Sequence, residues 1–312
     1  MEKALFPRMM PVVREFDAYY HVEQQLIMEE AMKLIRFFSS LVFLFSCSVA
    51  FSESPVEMGT RLMKINDDRP VFEKVKAKGT LTIYDSSGKV KFTKSLIMGT
   101  YTTGMGSAAT FAEKYLAYMM SPADDQGNSY LMYHYKTRDD VKWVYLKGIR
   151  KAKKVTGADK KLSFFGSDFT NAEASKPNFL EWNYKYLGEE KVEFKGKVFD
   201  CYMVESTPKT KAIMSDQGCG RRVSFFEKKS HLTLRLDLYD ENMIKVKELR
   251  LLSFTTKNNI HGQKVNYETG LEMKNVKTGS RSTLVFTDLQ TEEESNLRTD
   301  VFTEQYLTQK WW

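Results

Sequence analysis

The feature that most constrains this chain is a period of two. From Val71 onward, Val71, Val75, Ala77, Leu81 and Ile83 are separated by even steps, with charged or polar residues between. Alternation of this kind puts one set of side chains on one face of an extended strand. Asp85-Ser86-Ser87-Gly88 is a turn signal, and Val90, Phe92, Leu96 and Met98 then resume the alternation, which predicts a β-hairpin with one apolar face. Further strands are read over 130–135, 143–146, 192–204, 232–239, 244–254, 263–276 and 282–289. The cleanest carries Leu232, Leu234, Leu236 and Leu238 on one face. The count is about ten antiparallel strands, each apolar on one side. Such a sheet must pair with a second layer or curl round its own core. Few helices accompany it. Residues 55–66 form one, with Ser54 as cap, Pro55 in the first turn, and Val56, Gly59, Leu62 and Met63 on its apolar face. Phe302, Tyr306 and Leu307 suit a short C-terminal helix that closes the sheet, and residues 159–190 break the pattern as loops or short helices.

The strand pattern starts only after a leader. Lys33 and Arg36 precede an apolar run from Phe37 to Val49, and small residues at Ser48, Ala50 and Ser52 offer cleavage positions. This reads as a secretory signal peptide over 32–52. As a membrane anchor the run is shorter than the ~20 residues that span a bilayer. As a lipid-attachment signal it would use Cys47, which the bulky Phe45 fits poorly. Residues 1–31 read as an over-extended N-terminus, with translation starting at Met32. The alternative is an amphipathic helix carrying Val13, Phe16, Tyr20 and Leu26. Residues 53–312 then form a single domain with two thiols, Cys201 and Cys219, which either pair in an oxidising compartment or stay free.

Little in the chain suggests covalent chemistry. His134, His231 and His261 lack metal-site spacing. Ser167-Asp168 lacks a nucleophile elbow, and no nucleotide-binding loop is present. The expectation is a protein that is not an enzyme and holds no cofactor or metal. The 47 bases and 40 acids are interspersed, so the net charge of +7 does not favour nucleic acid. The basic run 147–155 meets anionic head groups or is a solvated edge strand. The 21 Phe, 16 Tyr and 4 Trp either fill a core or line an apolar cavity that holds an acyl chain.

One series of motifs is more specific. Ser121-Pro122 and strand 130–135 are followed by Trp143-Val144-Tyr145, by basic residues 150–155, and by Phe164-Phe165-Gly166-Ser167-Asp168-Phe169. Downstream come Phe225, Glu227, Tyr239-Asp240, Leu271 to Asn275, Lys277-Thr278-Gly279 and Phe302-Thr303. The series resembles the outer-membrane lipoprotein-sorting protein family, LolA/LolB-like in fold, with Gly166, Ser167, Asp168 and Phe169 as its most specific segment. The resemblance implies a curved antiparallel half-barrel of ten or eleven strands, with short helices covering the open apolar face. It implies a periplasmic carrier of a lipid or acylated lipoprotein, linked to an RND-type transporter. The expected pocket residues are Phe92, Leu96, Met98, Trp143, Tyr145, Phe164, Phe165 and Phe169, with the leucines of 232–238 as an alternative wall. The rival readings are an accessory subunit of an exporter whose half-barrel is filled by its own side chains, and a secreted hydrolase.

Overall fold

The computed structural model describes residues 28–34, 53–107 and 109–312. Two compact units divide the chain, 1–52 and 53–312. In the first, only a helical stretch over 28–34 is described, so most of the leader and of the extension before it lies outside the described residues. The second unit is mainly β.

Its thirteen strands are β1 (Lys74–Tyr84), β2 (Val90–Thr103), β3 (Ala112–Ser121), β4 (Ser129–Tyr135), β5 (Val141–Leu146), β6 (Lys151–Lys154), β7 (Trp182–Phe194), β8 (Lys197–Pro208), β9 (Arg221–Glu227), β10 (Thr233–Tyr239), β11 (Lys245–Asn258), β12 (Lys264–Asn275) and β13 (Arg281–Thr291). They form one antiparallel sheet in the order 6-5-4-3-2-1-13-12-11-10-9-8-7. Two meanders are therefore joined by one central pair, β1 with β13, in which Thr80 faces Val285. Laid flat, thirteen strands at ~4.8 Å would put the edges roughly 58 Å apart. Instead, Tyr130 and Met132 of β4 belong to one buried cluster with Trp182 and Tyr184 of β7 and Met273 of β12. The sheet curls so that these side chains meet on its inner face.

The thirteen strands exceed the ten or eleven expected, for local reasons. Strand β3 is buried on both faces and so shows no alternation. Residues 192–204, read as one strand, are the ends of β7 and β8 around a tight turn. Lys195 and Gly196 both have positive φ, 50° and 72°, as a two-residue hairpin turn requires. A lysine at the first of these positions hides the turn from sequence inspection. Strand β6 is the basic run itself, exposed along its length at a sheet edge. Strand β9 carries Arg222 and Ser224 among its buried positions, which masks its apolar character. The β1–β2 turn forms as read: the Asp85 carboxylate accepts from Ser87 N, Ser87 Oγ and Lys89 N.

Helix α1 (Pro55–Asp67) starts where the sequence places it. Ser54 Oγ accepts from Glu57 N, and the Glu57 carboxylate accepts from Ser54 N, a reciprocal capping box. Gly59 and Leu62 are its buried residues, whereas Val56, assigned to the same face, is exposed. Helix α2 (Lys211–Gln217) was not anticipated; Thr210 caps it and Gly218, at φ 61°, ends it.

The outer face of β2–β5 is also apolar. The C-terminal segment covers it with Leu297, Val301, Phe302, Leu307 and Trp311. Ser129 Oγ donates to Leu307 O, and Tyr133 OH donates to Phe302 O at 2.6 Å. The expected closing helix is thus a set of 3-10 turns over 292–308, laid on the face opposite the inner cluster.

Helix α1 approaches β7 so closely that a Cβ on Gly59 would lie 2.5 Å from Tyr186 N and 2.6 Å from Lys185 C. Gly59→Ala should therefore destabilise by about 1–3 kcal/mol, although alanine is the better helix former by ~1 kcal/mol. Urea unfolding with an unchanged or raised midpoint would show that the contact is not tight.

Candidate functional site

Inside the curl is a cavity of about 390 Å³. Its walls come from α1 (Met63), β2 (Leu96, Met98), β3 (Tyr115, Ala117) and β13 (Leu284). Strands β7, β10 and β12 supply Trp182, Leu236, Leu238 and Met273. One side is closed by the crossover between β6 and β7, which contributes Phe164 and Phe169. Because β6 and β7 are the two sheet edges, this crossover has to pass from one to the other, and it does so over the inner face.

The motif residues fasten it there. Gly166 has φ 77° and Phe165 φ 49°, which turn the chain back so that Phe164 N donates to Phe169 O. Ser167 Oγ donates to Phe164 O at 2.6 Å. The Asp168 carboxylate accepts from Ser280 Oγ and Ser282 Oγ, each at 2.6 Å, and Asp168 N donates to Ser282 Oγ. Ion pairing adds a third tie, Lys247 Nζ to Glu173 at 2.7 Å. Gly166, Ser167 and Asp168 thus act as a clasp, and only Phe169 of the four reaches the cavity wall.

Of the pocket residues expected from sequence, Leu96, Met98, Phe164 and Phe169 line the cavity, as do Leu236 and Leu238 of the alternative wall. Phe165 packs against the inner clusters without lining it. Three expectations are corrected by position. Phe92 is 55% exposed, in the part of β2 that runs out toward the hairpin tip. Trp143 and Tyr145 face the opposite side of the sheet, under the C-terminal segment, and the inward residues of β5 are Lys142 and Val144. Leu232 and Leu234 join a separate cluster with Val192, Phe194 and Phe225. Strand β10 gains one residue against β9 between Thr233 and Arg235, and this bulge reverses the alternation.

Cys201 and Cys219 are free buried thiols in different clusters, so no disulfide links them. Burial pushes the Cys201 thiol up to about 11. His134 is a packed residue, its Nδ1 2.9 Å from Asp140 Oδ1. Among the described residues no group of three or more His, Cys, Asp or Glu could hold a metal ion, and no helix is long and apolar enough to cross a membrane.

Sequence reasoning missed the polar residues of this region. Arg222 is 5% exposed and lines the cavity, its Cζ 4.2 Å from the centroid of the Trp182 ring. Lys142, also buried, donates to Ser175 Oγ and lies 3.8 Å from Asp140. The signal was present in β9, where Arg222 and Ser224 share the parity of the core residue Phe226. Burial pulls the Lys142 amine from 10.5 to about 8, with Asp140 only partly opposing the shift. Below pH 8 the amine is charged in both folded and unfolded chains. Between about 8 and 10.5 the unfolded chain binds more protons, so stability rises with pH. Relative to Lys142→Met, the wild-type protein should gain up to about 3 kcal/mol between pH 7 and 10.5. Parallel pH profiles for the two proteins in chemical unfolding would refute the assignment.

Comparison with known proteins places the fold. A family model described as an uncharacterized protein matches residues 112–309. A search of curated proteins finds no match. Among solved structures, a DUF1329 family protein from Desulfovibrio piger superposes with a TM-score of 0.69 at 27% identity, covering 81% of this chain and 99% of that one. A domain from Vibrio parahaemolyticus described as an outer membrane lipoprotein-sorting protein gives 0.68 at 20% identity, covering 81% and 100%. A LolA superfamily protein from Nitrosomonas europaea gives 0.55 at 15%, covering 80% and 99%. The chain belongs to the uncharacterized-protein family whose model spans 112–309, and its fold is that of the LolA-like outer-membrane lipoprotein-sorting proteins.

Proposed function

We propose that this protein is a periplasmic carrier that holds an acyl chain of a lipid or lipoprotein in the cavity of its curled sheet and hands it on. The observation that carries the reading is the cavity: about 390 Å³, walled mainly by apolar side chains, inside a fold shared with lipoprotein-sorting proteins. That volume lies in the range of roughly 300–1,000 Å³ typical of small-ligand pockets, which admits an acyl chain. Each buried CH₂ is worth ~0.8 kcal/mol, which the next acceptor must match for transfer to proceed. The resemblance seen in the sequence carries the finer proposal that transfer is linked to an RND-type exporter, and the leader over 32–52 carries the periplasmic location. A carrier of this kind needs no catalytic residue and no cofactor. The rival reading, an accessory subunit with a self-filled barrel, is disfavoured by the same cavity.

Native mass spectrometry of protein exported to a bacterial periplasm should find a single-chain lipid or acyl group bound at one per protein. Ala117→Phe places a ring in the cavity from the β3 wall. It should leave the melting temperature within a few degrees and weaken displacement of a fluorescent fatty-acid probe at least tenfold. A wild-type protein that is ligand-free as purified, and takes up no added lipid, would return the accessory-subunit reading.

A further inference from the structure

The cavity is apolar over most of its wall but carries an incomplete set of hydrogen-bond donors. Arg222 is a buried guanidinium with no carboxylate in ion-pair range among the described residues. Its Nη2 donates only to Gln217 Oε1, at 3.4 Å, and its Nε has no partner. Beneath it, the indole Nε1 of Trp182 is also buried and unpaired. Tyr130, another lining residue, has a buried hydroxyl without a partner. Arginine and tryptophan side chains only donate, so what completes them is an acceptor. A stacked ring offsets part of the cost of burying the guanidinium, but five N–H groups remain served by one long hydrogen bond. The local charge points the same way. Asp140 is shared between Lys142 and His134, and the Glu181 carboxylate accepts from Gln217 Nε2 rather than from Arg222.

We infer that Arg222, with the indole N–H of Trp182, forms a head-group subsite, and that the cavity takes a single-chain amphiphile ending in an anionic group, a carboxylate or a phosphate. This rests on the carrier reading above and goes beyond it, because an acyl-chain site alone has no use for a buried guanidinium. Inside the cavity, low dielectric and charge assistance strengthen such contacts. The subsite would select for the head group while the walls accept the chain.

The test compares dodecanoate, dodecyl phosphate, dodecanol and inorganic phosphate at pH 8, below micelle-forming concentrations. It uses the exported wild-type protein, Arg222→Gln and Trp182→Phe. One or both anionic amphiphiles should bind wild-type protein at least tenfold more tightly than dodecanol, and which of them does so identifies the head group. Arg222→Gln should erase that preference, bringing the anionic chains to within about twofold of dodecanol on the same variant. Trp182→Phe keeps the ring and loses the N–H, and should reduce the preference severalfold. It decides the matter with the wild-type comparison if Arg222→Gln does not fold. Equal binding of all three chains overturns the subsite and leaves the carrier reading intact. Inorganic phosphate binding as tightly as dodecyl phosphate also overturns it, since the site would then be an ion site without a chain. Failure of every chain to bind removes the carrier reading, and the subsite with it.

Discussion

Strands β6 and β7 follow one another in the chain and yet form the two free edges of one sheet. The segment between them has no route except across the sheet, and it takes the inner side. Much of the site depends on this. The crossover brings Phe164 and Phe169 to the cavity wall, and it is held by hydroxyls on and beside β13, the strand at the centre of the sheet. The tie is short and charged, because both serines donate to one carboxylate. The strap therefore ties the crossover to the middle of the scaffold rather than to either edge.

The sheet is apolar on both sides over β2–β5, and each side is served by a different cover. The inner side meets α1 and the crossover; the outer side meets the C-terminal segment. At Gly99 the fit is close enough that a Cβ would lie 3.1 Å from the Trp311 ring. Covering both faces lets the inner side keep unfilled space, since the outer cluster supplies burial that does not depend on a ligand.

Alternation in the sequence made the strands, the first hairpin and the capped helix legible, because each is decided by neighbours within a few residues. It could not assign faces over longer distances. Leu232 and Leu234 left the face of Leu236 and Leu238 through one inserted residue. Trp143 and Tyr145 were placed on the wrong side because both faces of β5 are covered, and aromatic character alone does not distinguish them. Strand β3, buried on both faces, gave no period at all. In the site, the apolar lining at Leu96, Met98, Phe164 and Phe169 was readable, whereas Arg222 was not. A charged residue on a strand reads as solvated until the pairing partners show that its face points inward. The Gly166 to Phe169 motif was read as a marker of the family, and the structure gives its physical task as that of a fastening.

The pairing of β1 with β13 has a kinetic side. These strands are some two hundred residues apart and yet hold the two meanders together. Closing so long a loop comes before any reward from the contacts it permits, so folding of such a topology is slow. Each meander can assemble from local hairpins, but neither encloses the cavity alone. The cavity therefore does not exist until β13 has paired with β1. During that interval the apolar inner faces of both meanders lie open to solvent.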